Sequence, residues 1–104
     1  MEVTTLYMYL FVREDLSKPQ QIVQTAHAVD EINKHLPQTT KGNYMVLCDV
    51  KSEKELLDVS MHLFEEGVNH HLFFEPDIDS YTAIATVPLK GSERKPMKRY
   101  NTMA

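Results

Sequence analysis

Leu6-Tyr7-Met8-Tyr9-Leu10-Phe11-Val12 is a nearly continuous apolar run rich in β-forming residues. A strand with one wet face alternates apolar and polar residues. A strand that does not alternate is covered on both faces, as in layered α/β proteins. The residues that follow fit such a fold. Arg13-Glu14-Asp15-Leu16-Ser17-Lys18-Pro19 is a charged link. Ser17 is placed to cap a helix, with Gln20 three residues later completing a capping box, and Pro19 is tolerated in a first turn. Ile22, Ala26, Val29, Ile32 and Leu36 recur at helical spacing and are expected to face the sheet. Pro37 ends this helix region, and Gln38 to Asn43, with Gly42, reads as a polar link.

The pattern then repeats in kind. Tyr44-Met45-Val46-Leu47-Cys48 reads as a second buried strand. Ser52 and Glu55 make another capping box. Leu56, Leu57, Val59, Ser60, Leu63 and Phe64 outline a second helix, with Gly67 as the residue after its cap. His71-Leu72-Phe73-Phe74 is a third strand, Pro76-Asp77-Ile78-Asp79-Ser80 a turn, and Tyr81-Thr82-Ala83-Ile84-Ala85-Thr86-Val87 a fourth strand stopped by Pro88. The order is β-α-β-α-β-β. Two right-handed helical crossovers make the first three strands parallel, and the short turn makes the fourth antiparallel to the third. The expected fold is α/β, a three-layer α/β/α arrangement around a four-stranded mixed sheet, with ligands at the C-terminal strand edges.

A chain of 104 residues is read as one domain, 1–104. Its 42% hydrophobic and 25% charged residues are ordinary for a globular protein. One cysteine, Cys48, excludes an internal disulfide and fits a reducing compartment. No apolar run approaches the ~20 residues that span a bilayer, and no secretory signal stands at the start. A cytoplasmic, non-membrane protein is expected. The net charge of −4 argues against a generic nucleic-acid binder. Yet residues 87–104 hold Lys90, Arg94, Lys95, Lys98 and Arg99 against Glu93 alone, a balance of +4 that leaves −8 on the rest. This basic tail, from about residue 89, reads either as a frayed, solvated end, the expectation here, or as an RNA contact.

Gln20, Gln24, His27 and Glu31 fall in one helical sector, opposite Ile22, Val29 and Leu36. A glutamine beside a histidine can bind a carbonyl, a ribose or a base edge, or orient a water. The same four residues also suit a solvent-facing polar stripe. Arg13, Glu14, Asp15 and Lys18 cluster before the helix N-terminus, where a phosphate would be attracted. The plainer reading is an exposed charged turn. Glu75, Asp77 and Asp79 could supply a general base or hold Mg²⁺, although acidic residues are common in turns. His70 and His71 are adjacent and point to opposite faces of a strand. No spacing suits zinc, and there is no P-loop, nucleophile elbow or dinucleotide fingerprint.

Taken together, Val12-Arg13-Glu14-Asp15-Leu16, Gln24-Thr25-Ala26-His27-Ala28 and Thr82-Ala83-Ile84-Ala85 with Pro88 resemble the type 2 (archaeal/eukaryotic-type) peptidyl-tRNA hydrolases. In that family a strand ends V-R-x-D-L, a helix carries Q-x-x-H-A, and the last strand reads T-A-L-A-x-x-P. Ser52-Glu53-Lys54-Glu55-Leu56-Leu57 followed by Gly67 is similar to the family's second helix and its glycine stop. The similarity covers roughly residues 6–88.

The resemblance implies a cytosolic esterase that cuts the ester between a peptide, or an N-blocked amino acid, and the tRNA 3′ end. It implies no metal or organic cofactor, and often a homodimer. Site residues carried over are His27, Glu75 and Thr82 for catalysis, and Arg13, Asp15, Lys18, Gln20 and Gln24 for binding tRNA or a related nucleotide ester. This chain departs from the pattern in two places. Gln20 stands where the family has a lysine, with Lys18 nearby. Phe74-Glu75-Pro76-Asp77 replaces the family's R-D-A-G segment, keeping only a carboxylate at Glu75. The alternative is a non-catalytic member of the fold that binds a nucleotide, an RNA end or a protein. A Mg²⁺-dependent phosphate-ester enzyme built on the acidic turn is a third reading.

Overall fold

Strand β1 (Leu6–Arg13) runs through the middle of the sheet. In the computed structural model, which describes residues 5–36, 43–100 and 102, every residue from Met8 to Val12 is at most 5% exposed. That explains the unbroken apolar run, because side chains alternate between two covered faces. Met8 and Leu10 pack with Ala28, Ile32, Ala83 and Ala85. Tyr9 and Phe11 pack with Val50, Leu56, Leu63 and Ile84 on the other side.

The remaining elements are α1 (Lys18–Asn33), β2 (Asn43–Val50), α2 (Glu53–Glu65), β3 (His70–Glu75), β4 (Ser80–Thr86) and a short β5 (Leu89–Lys90). A 3-10 turn (Pro76–Ile78) joins β3 to β4, and a 3-10 helix (Gly91–Arg99) follows β5. The sheet order is β2-β1-β4-β3, with β5 pairing the start of β1. β1 and β2 are parallel, and β4 is antiparallel to both β1 and β3. The first three strands are therefore parallel, as the crossovers require. The end of the first helix region at Pro37 and the polar link of residues 38–42 lie outside the described residues.

Both helices start where the serines place them. Ser17 Oγ accepts the Gln20 N–H, and Ser52 Oγ accepts the Glu55 N–H, each at 3.3 Å. Gly67 adopts φ +72° after α2, a left-handed conformation that only glycine reaches without strain.

The face that α1 turns to the sheet differs from the expected one. Gln24, Ala28 and Ile32 are buried, while Ile22 is 71% exposed. The helix carries two apolar rows, and periodicity favours the row with more hydrophobic side chains. The other row wins because its polar member, Gln24, finds hydrogen-bond partners on the sheet. Helix α1 lies over β4, β3 and β1. The β2 side of that face is left as an open apolar groove of about 650 Å³, bordered by Leu10, Val12, Ile22, Val29, Met45 and Leu47.

The basic C-terminal segment is not frayed. Met97 is 3% exposed, and Tyr100 sets its ring edge-on to Phe11 at 4.9 Å. The Tyr100 hydroxyl bonds His62 Nδ1, and Thr102 bridges Cys48 in antiparallel fashion. The expectation failed because the segment follows neither the α nor the β period. A 3-10 helix has three residues per turn, which puts Arg94, Met97 and Tyr100 in one row facing the sheet. Together with α2 this segment forms the second covering layer, and it buries Cys48. Burial, with a lesser push from Asp49, raises the Cys48 thiol to about 11, so it is an inert core residue.

Met97→Ala should therefore lower unfolding stability in chemical denaturation by ~2–4 kcal/mol. A solvated tail would leave the midpoint unchanged.

Candidate active site

The C-terminal ends of β1 and β3, the start of β4 and the N-terminus of α1 meet at one edge of the sheet. Arg13, the last residue of β1, joins them. Its Nε and Nη2 donate to Asp15 Oδ1 and Oδ2 at 2.9 and 2.8 Å, and its Nη1 donates to Ser80 Oγ and the Tyr81 carbonyl at 3.0 and 3.1 Å. The fork matches the carboxylate in bidentate fashion. It holds Asp15 below the usual carboxylate range, and Asp15 in turn raises Arg13. Arg13 thus ties the loop after β1 to the β3–β4 turn, and most of its donors are spent.

Gln24 stands at the centre of the edge, 1% exposed. Its Nε2 donates to Gln20 Oε1 and to Glu75 Oε1, each at 3.0 Å, and its Oε1 accepts the Thr82 hydroxyl at 2.8 Å. Both amide hydrogens and the carbonyl oxygen are used, so the buried amide is satisfied. Among the described residues, Glu75 Oε2 has no hydrogen-bond partner.

Thr82 reaches Gln24 only because β4 is irregular. Phe73 pairs Ala83 and Phe74 pairs Tyr81, so Thr82 is the extra residue of a β-bulge. Strict alternation would place Thr82 on the α2 face with Ile84. The bulge turns it to the α1 face instead, and puts Tyr81 and Ile84 together on the α2 face. The Tyr81 N–H is taken by Glu53 Oε2 at 2.8 Å, which ties the start of α2 to the bulge. Thr82 is fully buried.

One turn after Gln24, the exposed His27 stacks on Phe73, with ring centroids 5.0 Å apart and planes 13° from parallel. One turn further, Glu31 pairs with Lys34 at 2.9 Å, which holds its carboxyl below the usual range. Helix α1 thus runs antiparallel to β3 with two rungs, Gln24 with Glu75 and His27 with Phe73. The polar sector read from the sequence faces the β3 edge. No sequence signal marked the bulge or the bond from Arg13 to Ser80. Strand β3 runs one residue beyond the expected end at Phe74, which puts Glu75 two positions from Phe73 and on the same face.

Gln20 is drawn into the cluster by Gln24. Lys18 sits on the other flank of α1, beside the apolar groove. The helix N-terminus offers little to an anion. Pro19 has no N–H, and that of Gln20 goes to Ser17 Oγ, which leaves those of Ser17 and Lys18. Glu14 is raised above the usual carboxylate range by its hydrogen bond with Asp49, so the same corner is crowded with acid. Asp77 and Asp79 belong to the 3-10 turn and its cap. Among the described residues no three His, Cys, Asp or Glu side chains gather closely enough to hold a metal ion.

Fold and edge together define a three-layer α/β domain with a buried amide fixing a strand-end carboxylate, one helical turn before an exposed histidine. The chain belongs to the peptidyl-tRNA hydrolase PTH2 family, whose sequence model matches residues 6–99. No curated protein matches it. A solved structure of a protein of unknown function, Atu0240 from Agrobacterium tumefaciens strain C58, is similar over 95% of this chain and 98% of its own, with 14% identity and a TM-score of 0.66. At that identity the likeness speaks to the fold alone.

Removing either partner of the Gln24–Thr82 bond leaves a buried polar group without its partner. Gln24→Met and Thr82→Val should each cost ~1–3 kcal/mol. The double variant should cost clearly less than their sum, with a coupling of about 1 kcal/mol or more in a double-mutant cycle. Additive losses would show that the bond does not join the two elements.

Proposed function

We propose that this edge hydrolyses the ester between a peptide or N-blocked amino acid and the 3′ end of tRNA. The observation that supports this best is the Thr82–Gln24–Glu75 chain. It fixes one carboxylate oxygen and leaves the other without a partner among the described residues, one turn along α1 from an exposed histidine, in a chain of the peptidyl-tRNA hydrolase family. In this reading Glu75 takes a proton from water, and the water oxygen attacks the ester carbonyl. The acyl–oxygen bond then breaks, and the 3′ oxygen leaves with a proton returned by the acid form of Glu75.

Thr82 and Gln24 are positioning residues: Thr82 is buried and acts only through Gln24. Gln20 offers its amide to the substrate's ribose or carbonyl groups. The His27 ring, backed by Phe73, gives a flat surface on which the terminal base stacks, one helical turn along α1 from Gln24, which holds Glu75. Arg13 and Asp15 hold the edge together. Lys18 would meet phosphate from the far flank of α1. The protein acts in translation in this reading, without a bound cofactor, and a homodimer is compatible with it. Among the described residues no helix is long and apolar enough to cross a membrane.

One observation favours a second reading, a non-catalytic binder of a tRNA end. Arg13 is engaged by Asp15, Ser80 and Tyr81, and Gln20 stands where the family pattern has a lysine. Among the described residues the polar cluster therefore lacks an uncommitted cation for a developing negative charge.

Turnover of a blocked aminoacyl-tRNA separates the two. Glu75→Gln keeps an acceptor for Gln24 and removes the base, so it should lower kcat/KM by ~10²-fold or more without loss of thermal stability. His27→Phe keeps the stack and removes the nitrogens. A small change there assigns His27 to base stacking, and a large one to proton handling. Parent-like turnover by a folded Glu75→Gln variant would remove Glu75 from the chemistry. Binding of tRNA by the parent with no turnover would establish the second reading.

A further inference from the structure

We propose that the 3-10 helix Gly91–Arg99 is a rigid ridge that binds the phosphate backbone of RNA. Taken with the ester-hydrolase reading, on which this identification of the RNA rests, it grips the body of the tRNA whose 3′ end enters the candidate site. A polyanionic substrate must be attracted somewhere. The protein carries −4 overall, the cations of the candidate site are committed or displaced, and the α1 N-terminus is surrounded by acid. The 3-10 helix is the place where positive charge is concentrated.

Three features make the ridge more than a basic stretch. First, among the described residues Lys95 and Lys98 are in no ion pair. Glu93, the acidic residue among them, turns its Oε1 to the Lys90 N–H at 2.9 Å and so caps its own helix. Among the described residues, the ion pairs formed by carboxylates involve Arg13, Lys34, Lys54 and His62, and none involves Lys90, Arg94, Lys95, Lys98 or Arg99. Arg99 borders an acidic hollow with Asp49, Glu55 and Asp58 and is left out of the proposed contact.

Second, the three-residue period sorts the side chains. Arg94, Met97 and Tyr100 face inward, while Lys95 and Lys98 share an outer row with Ser92, roughly 6 Å apart along the axis. Both lysines are exposed. Between this row and β1 lies a hollow of about 450 Å³, bordered by Tyr9, Arg94, Lys95, Lys98 and Tyr100, which suits a phosphate beside aromatic surface.

Third, the ridge is held in place before any ligand arrives. Met97 is buried, and the Arg94 guanidinium stacks 3.6 Å over the Tyr7 ring while its Nε donates to the Tyr9 hydroxyl at 2.9 Å. Binding therefore costs little ordering of the chain. From Tyr9 to Arg13 is roughly 13 Å along the strand, so the ridge is separate from the candidate site and needs a ligand longer than a nucleotide. An anionic membrane surface is the competing partner. It is disfavoured because the ridge turns its apolar residue inward and presents no apolar face to a bilayer.

The test is fluorescence anisotropy with uncharged tRNA across a salt series, comparing the full-length protein with Lys95→Gln/Lys98→Gln. Both positions are exposed, so the thermal midpoint should hold, and a shared midpoint is checked first. The expected result is roughly ten-fold or more weaker binding at low salt, with the slope of log K against log salt reduced by about 2. Unchanged affinity and slope would overturn the proposal. So would a loss of binding to phosphatidylserine vesicles with tRNA binding intact. Parent turnover of a short N-blocked aminoacyl-adenosine ester tests the hydrolase reading separately. If the parent cleaves no ester yet the double variant loses the salt slope, the ridge stands and the hydrolase reading falls.

Discussion

The carboxamide of Gln24 is held by three side chains from three elements: Gln20 on its own helix, Glu75 at the end of β3 and Thr82 in the bulge of β4. A buried amide is costly unless every donor and acceptor is paired. Here the pairing dictates much else. It decides which face of α1 meets the sheet, leaves Ile22 outside, and brings His27 over Phe73. It also fixes Glu75 at the edge where Arg13 closes the loop. The bulge is part of the same constraint, since without it Thr82 would point to α2 and the amide oxygen would lose its partner.

What could be read from the sequence follows from how local each signal is. The unbroken apolar run of β1, the two serine caps and Gly67 are local and strong, and with the handedness of crossovers they define the parallel core and the antiparallel β4. The orientation of α1 was misread because Gln24 is polar, and a polar residue is drawn inward only by partners more than fifty positions away in the chain. Thr82 was singled out by its family-like surroundings, yet its direction depends on a bulge that no local signal marks. The C-terminal segment was misread for a different reason. Its inward row repeats every three residues, a period short enough to look like an unpatterned charged tail.

Charge is divided unevenly over the molecule. The candidate edge is rich in carboxylates and amides, and its one buried-end arginine is neutralised by Asp15. The positive charge sits on the far side of the sheet, on a helix anchored by Met97 and by the stack of Arg94 on Tyr7. The edge presents a fixed carboxylate, and the ridge presents exposed lysines that suit a phosphate. The apolar groove between α1 and β2 is a third, chemically distinct surface that neither reading uses.

We propose that the Gln24–Glu75 edge, rather than the groove or the ridge, receives the acylated 3′ end. Chemical-shift mapping with a non-hydrolysable 3′-amide analogue of an N-blocked aminoacyl-adenosine tests this directly. The largest shifts are expected at Gln20, Gln24, His27 and Glu75, with His27 side-chain signals moved by the stacked base. Shifts confined to Ile22, Val29, Met45 and Leu47, with the Gln24 side-chain amide unmoved, would contradict it.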